Sequence, residues 1–336
     1  MIPNHRPAVR PAPAFPVRMI VLDIDGTLVG ADLRVGDRTS AAIRAARERG
    51  VEVFLATGRM PSSAVVFANQ LGLATPLIGH QGAIIRAMPA HREGPPAVVS
   101  ARARGRVGRV LHHAPLATAA TREAVRWCRA NGLDPHINDL ERIVVWAGDP
   151  SFAAYSDYLG TEAQVVPDLE AWVTRPVSKV IAVGDAGRPM AVVDGARRHF
   201  AGRADVTVSH PRFLEFVAPG VSKGRAVAWL AWRAGIPMGQ VLAIGDSLND
   251  LEMISDAGHG ACMPSAVPEV RRVSRYLAPP VAEEGAADLV ERLVLAPPAV
   301  AERNARRLEA DAAGAMALSE PATPAAPAAP SQRGAA

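Results

Sequence analysis

The apolar run 17–22 leads straight into Asp23-Ile24-Asp25-Gly26-Thr27. A short apolar run bounded by a glycine turn reads as a buried strand, and this one delivers two carboxylates at its C-terminal end. In an open α/β sheet that edge is where ligands bind. Two acids held so close together are costly unless a cation or a phosphate chemistry uses them. The feature therefore asks for a sheet whose carboxyl edge is a site, and for a positive partner at that edge.

The rest of the chain supplies such a sheet. Residues 39–49 have helical spacing and stop at Gly50, a natural C-cap. A second buried strand, 51–56, ends in Thr57-Gly58-Arg59, and a helix over 62–71 and a strand over 76–79 follow. Strands alternating with helices predict a parallel sheet. Residues 89–108, rich in Pro, Gly and Arg, read as a connecting loop. A second α/β stretch follows, with helices at 118–130, 152–159 and 189–200 and strands at 133–137, 143–146, 177–183 and 205–209. The first domain is expected to resume with 213–217. Ser222-Lys223-Gly224 then opens a helix through Arg233, and a strand over 241–244 leads into Gly245-Asp246-Ser247-Leu248-Asn249-Asp250. A short strand near 260–263 and a helix at 286–293 close the fold. The predicted class is α/β, a Rossmann-like doubly wound parallel core with an inserted α/β domain. The core takes 17–85 and 210–296, and the insertion 86–209. Residues 1–16 read as a disordered leader, and 297–336 as a mostly disordered Ala/Pro-rich tail with one candidate helix at 301–318.

Composition narrows the function classes. The 336 residues contain no apolar run near the roughly 18 that a membrane span needs, and the Pro-rich start lacks the apolar stretch of a secretory signal. Two cysteines, Cys128 and Cys262, are too few for a disulfide framework. A soluble, cytoplasmic protein of undetermined oligomeric state is expected. The net charge of +4 is spread as Arg over the predicted helices, with one cluster at Arg102, Arg104, Arg106 and Arg109. That cluster has no interleaved aromatics and reads as a solvated loop, so no nucleic-acid partner is expected. Against 35 Arg the chain has two Lys, Lys179 and Lys223. Where Arg is the default cation, Lys points to a chemical need, because its compact charge fits crowded anion sites.

Asp23 with Asp25, Thr57, Lys223, and Asp246 with Asp250 all fall at predicted strand C-termini or at a helix start, so a parallel sheet can bring them together. Several acids beside one Lys suit Mg²⁺, a hard cation that prefers oxygen ligands. Four segments occur in order: Asp-Ile-Asp-Gly-Thr-Leu, Thr-Gly-Arg, Ser-Lys-Gly and Gly-Asp-Ser-Leu-Asn-Asp, with residues 60–222 between Arg59 of the second and Lys223 of the third. This pattern resembles the haloacid dehalogenase superfamily over roughly residues 18–295. It is most similar to the Cof-type (subfamily IIB) phosphatases, which carry a large α/β cap between those two motifs.

The resemblance implies roles. Asp23 is the nucleophile that forms an aspartyl phosphate, and Asp25 the general acid, then base. Thr57 and Gly58 bind the phosphoryl oxygens, and Lys223 offsets charge on phosphate and Asp23. Asp23, the Asp25 backbone carbonyl and Asp246 hold Mg²⁺, and Asp250 supports it directly or through water. Arg59, Gln81 and Asn249 are candidates for the substrate rim. Arg59 reads equally well as a surface residue, Asp250 as a helix cap, and Lys179 as structural. No His spacing suggests zinc. The chain departs from the family pattern at Gln81 (usually Asn), at Ser265-Ala266 (often Asn-Ala) and at Val281 (usually Asn). The expected function is Mg²⁺-dependent hydrolysis of a small phosphorylated metabolite, of which sugar phosphates are the class implied. A sugar phosphomutase and a non-catalytic phosphometabolite-binding regulator are the alternatives.

Overall fold

A computed structural model describes residues 3–89, 104–151 and 163–319. Its strands, in chain order, are β1 (Met19–Leu22), β2 (Glu52–Leu55), β3 (Leu77–Gly79), β4 (Ile84–Arg86), β5 (Val110–His113), β6 (Asp134–Asp139) and β7 (Arg142–Trp146). They continue with β8 (Ala163–Val166), β9 (Lys179–Val183), β10 (Asp205–His210), β11 (Phe213–Val217), β12 (Val241–Gly245), β13 (His259–Cys262) and β14 (Tyr276–Leu277).

Five of these form a wholly parallel sheet in the order β14-β13-β12-β1-β2. Its strands are apolar on both faces, as a parallel sheet covered by helices on both sides requires. Ile20, Leu22, Val53, Leu55, Leu242 and Ile244 pack on one side with the helices Asp37–Glu48 and Pro61–Gln70. Met19, Val21, Phe54, Val241 and Ala243 pack on the other with the helix Lys223–Arg233. Each fully buried Leu or Ile contributes roughly 1.5–3 kcal/mol. Register then places the site. Leu22 lies opposite both Leu55 and Ile244, so the residues that follow β1, β2 and β12 emerge at one level of one edge.

The second sheet has the order β10-β11-β9-β6-β7-β8 and is antiparallel except for β7 with β8. Alternation along its strands separates two faces. Val180, Ala182, Leu214 and Phe216 pack under the helices Thr118–Ala130 and Arg188–His199. Ile181, Val183 and Phe213 face the other way, with Met60 of the first domain packed among them. A small antiparallel sheet, β3-β4-β5, lies in the chain between the two.

Three expectations need correction. Residues 213–217 do not resume the first domain: as β11 they pair with β9 and β10 in the second sheet. The β5 strand, placed by sequence in the insertion, pairs with β4 of the segment before it. The N-terminal stretch is also more ordered than its composition suggests, whereas the candidate helix expected at 301–318 is present. Residues 298–319 form one helix, Pro298–Ser319, in which Ala301, Ala305, Leu308 and Ala312 are buried at helical spacing. Residues 3–16 make no regular element, yet they are anchored: Ala14 N donates to Gly239 O at 2.8 Å, Arg275 to Pro11 O at 3.0 Å, and Arg6 pairs with Asp256. Extended backbone meets its hydrogen-bond needs against the core rather than within itself. The expected helix 152–159, Arg102 and the end of the tail lie outside the described residues. No described helix is long and apolar enough to cross a membrane.

Candidate active site

The ladder of the parallel sheet runs one residue past β1, where Asp23 N donates to Ile244 O at 3.0 Å. The chain then turns at Gly26, whose φ is +81°. A Cβ there would sit 2.5 Å from Asp246 Oδ2, so the turn admits no side chain. Beyond β2, Thr57 N donates to Ile78 O at 3.0 Å, and Thr57 Oγ1 accepts from Arg59 N at 3.1 Å. A Cβ on Gly58 would meet Gln81 Nε2 at 2.4 Å. Lys223 is the first residue of its helix, and Ser222 caps it by accepting from Arg225 N. A cation at that end opposes the helix dipole, so local charges must hold it there.

They do. Lys223 Nζ donates to Asp23 Oδ1 at 2.5 Å and to Asp250 Oδ1 at 2.7 Å, with all three side chains buried. The other Asp250 oxygen accepts from Asp246 N at 3.0 Å and Ser247 N at 3.1 Å. Asp23, Asp246 and Asp250 bring carboxylate oxygens within 4.8 Å of one another. Burial works to lower the Lys223 ammonium, but its two carboxylates hold it above the ordinary Lys range. Burial pushes the Asp23 carboxyl well up; Lys223 works against this, and the neighbouring Asp250, Asp246 and Asp25 add to it. Burial and the Asp250 charge push Asp246 up to about 7. Asp246 Oδ1 is also buried without a hydrogen-bond partner. An acid cluster that is short of positive charge and carries one orphaned oxygen fits a hard divalent cation.

Asp25 is not part of that cluster. Its carboxylate is gripped at two points by Arg59, at 2.7 Å from Nε and 2.5 Å from an Nη, and the guanidinium lies over the Phe67 ring. Arg59 is therefore a buried site residue and not a surface one.

The second sheet closes over this edge. Lys179 Nζ donates to Glu215 Oε2 at 2.5 Å and to the Gly58 carbonyl at 2.6 Å. Glu215 Oε1 accepts from Gln81 Nε2 at 2.7 Å and from Ser209, and Gln81 Oε1 accepts from Asn249 Nδ2 at 2.8 Å. Four side chains thus connect the Asp246 loop to the Thr57 loop through the second sheet. His80 adds a contact, with Nε2 2.6 Å from Leu140 O; burial first, then the Lys179 charge, lowers it to about 3, so the ring is neutral. The cavity between them is lined by Asp23, Asp25, Thr57, Arg59 and Asp246 from below and by Asn138, Lys179 and Phe213 from above.

This geometry agrees with the sequence comparisons. The haloacid dehalogenase-like hydrolase pattern matches residues 20–94 and 103–290. The chain belongs to that family. It is 28% identical over 254 residues to an HMP-PP phosphatase of Serratia proteamaculans, covering 76% of this chain and 86% of that protein. It is 28% identical over 284 residues to a phosphoglycolate phosphatase of Methanothermobacter thermautotrophicus, covering 83% and 99%. Its fold matches a crystal structure of a haloacid dehalogenase-like hydrolase from Bacteroides thetaiotaomicron, with a TM-score of 0.66 and 26% identity over 83% of this chain and all of that one. It is a phosphatase of the haloacid dehalogenase type.

Within this phosphatase the structure brings together Asp23, Asp25, Thr57, Gly58, Arg59, Asp246 and Asn249 along one cavity, with Lys223, Asp250 and Gln81 bonded to residues that line it. Val281 lies elsewhere, in a cavity with Thr27 and Glu284. Sequence reasoning missed Glu215 and Asn138 and read Lys179 as structural. The rarity of Lys was the available signal for Lys179.

Proposed function

We propose that this phosphatase hydrolyses a small phosphorylated metabolite, of the sugar-phosphate class, through an aspartyl phosphate on Asp23. The carrying observation is Lys223 Nζ at 2.5 Å from Asp23 Oδ1, inside an acid cluster that needs one more positive charge. Asp23 Oδ would attack phosphorus as the ester oxygen leaves, and Asp25 would give that oxygen its proton. Asp25 would then take a proton from water, whose oxygen attacks phosphorus and frees Asp23. Arg59 fixes the plane of the Asp25 carboxylate, so that its proton is delivered from a set direction. Thr57 would hydrogen-bond the phosphoryl oxygens, and Lys223 would balance their charge. Mg²⁺ would be held by Asp23 and Asp246, supplying positive charge where the phosphoryl group enters. Asp250, whose oxygens already serve Lys223 and two backbone N–H groups, would hold the loop that carries Asp246.

Support for the metabolite class comes from the small size of the cavity and from relatives named for small phosphorylated compounds. A reducing, cytoplasmic setting fits Cys128 and Cys262, both free and buried. The test is phosphate release from a phosphoester panel with Mg²⁺. Asp23→Asn should abolish it, and Asp23→Asn with full turnover would remove Asp23 from the mechanism.

A further inference from the structure

We infer that Asn138 is a specificity-determining contact, donating from Nδ2 to a hydroxyl oxygen of an uncharged, hydroxylated leaving group, and that the Lys179–Glu215 pair beside it turns away leaving groups that carry a second anion. This rests on the phosphatase reading of the same cavity.

Asn138 lies on β6 directly across from Lys179 of β9. It lines the active-site cavity, is buried, and its Nδ2 has no hydrogen-bond partner. A buried donor left unmet costs about 1–3 kcal/mol, and the apolar residues facing the same way, Ile181 and Phe213, show that a leucine could fill the position without that cost. An amide kept there is explained by a partner that arrives with the substrate.

The neighbouring charges set the sign of that partner. Each cation lining the cavity among the described residues is already paired, Arg59 with Asp25 and Lys179 with Glu215. Both Glu215 oxygens are occupied, one by Lys179 and the other by Gln81 and Ser209. Burial, helped by Arg212, lowers His210 despite the nearby Asp25, and this lowering works against a charged ring at the cavity. A carboxylate or second phosphate on the leaving group would be desolvated beside Glu215 and Asp25 with no free counter-charge, which is strongly unfavourable. A hydroxyl meets no such penalty.

Matched substrates test this with Mg²⁺ present: glycerol phosphate against phosphoglycerate, and sorbitol phosphate against phosphogluconate, where a carboxylate replaces one CH₂OH. Phenyl phosphate serves as a leaving group without hydroxyls. The native chain should prefer the neutral member of each pair in kcat/KM. Asn138→Leu should lower kcat/KM for the preferred neutral ester about tenfold, with phenyl phosphate changed by less than about twofold. Retained phenyl phosphate turnover also shows that the variant folds. Glu215→Gln, which frees the Lys179 charge, should shift the anionic-to-neutral ratio toward the anionic member by about tenfold, a ratio insensitive to general loss of activity. An equal loss on phenyl phosphate in Asn138→Leu, a native preference for the carboxylated esters, or an unmoved ratio in Glu215→Gln each overturns the inference while leaving the phosphatase reading intact. No phosphate release from any of these esters overturns both.

Discussion

Lys223 and Lys179 are the chain's two lysines, and both are buried beside acids. Their surroundings nevertheless act in opposite directions. Lys223 sits between two carboxylates at the edge of the parallel sheet and holds its proton more tightly than usual. Lys179 sits on the second sheet with one carboxylate and one backbone carbonyl; burial wins there, and its proton is held less tightly. The number of acids decides the outcome, because one paired carboxylate only partly repays the desolvation of a buried ammonium. Lys223 therefore acts as a charge for the acid cluster. Lys179 forms a neutral pair whose value is positional, since it ties the second sheet to the Gly58 loop.

The largest test of this contrast is Lys223→Met, which leaves Asp23 and Asp250 buried without their counter-charge. It should lower kcat by about 10²–10³-fold and stability by roughly 3–5 kcal/mol, read by steady-state kinetics and urea unfolding. Lys179→Met should do less. Glu215 keeps its donors from Gln81 and Ser209, so the stability cost should be about 1–3 kcal/mol. Adding Glu215→Gln to Lys179→Met should recover part of it in a double-mutant cycle. If Lys179→Met loses as much kcat as Lys223→Met, the division between charge and position fails.

A smaller effect is expected from pH. Asp246 is raised to about 7 in the folded chain, with burial the first cause. A group raised on folding stabilises most below its unfolded pKa, and that stabilisation is lost as pH rises through the folded value. Without divalent cation the melting temperature should therefore fall as pH goes from about 4 to 7. Mg²⁺ competes with that proton, so the rise in melting temperature on adding Mg²⁺ should be larger at pH 8 than at pH 6. Asp246→Asn should flatten both trends, and a Mg²⁺-induced shift that persists in Asp246→Asn would place the cation elsewhere.

Much of the parallel-sheet edge was legible in the sequence, because each of its residues directly follows an apolar strand or opens a helix. Parallel register then brings such ends together without further information. The second sheet was not legible in the same way. Alternation in 179–183 and 213–217 separates two faces, but it does not say what either face meets. Glu215 and Asn138 gain their meaning only from lying over the Thr57 loop, which no local pattern records. For the same reason Phe213-Leu214-Glu215-Phe216-Val217 suited either sheet, and only its pairing with β9 and β10 decided the matter. The Pro-rich start shows the opposite limit. Its composition suggested disorder, yet carbonyls such as Pro11 O and Ala14 O fasten it to Arg275 and His259.

The smallest predicted effect concerns the link between the two lysine sites. Gln81 is held at φ +61°, a left-handed conformation that Asn adopts more readily than Gln. Its side chain nevertheless spans from Glu215, the partner of Lys179, to Asn249 in the loop that carries Asp246. Asn at this position would relax the backbone and be one methylene too short to reach both. Gln81→Asn should therefore keep or slightly raise the melting temperature while lowering kcat about 2–5-fold, the loss of about one neutral hydrogen bond. A structural role alone would move both quantities in the same direction. Opposite signs would show that the strained backbone is kept for the length of the side chain, and that the neutral pair on the second sheet communicates with the charged cluster below it. If kcat is unchanged, the two lysine sites act independently, and closure of the second sheet is felt through its other contacts, such as Lys179 to Gly58 and His80 to Leu140.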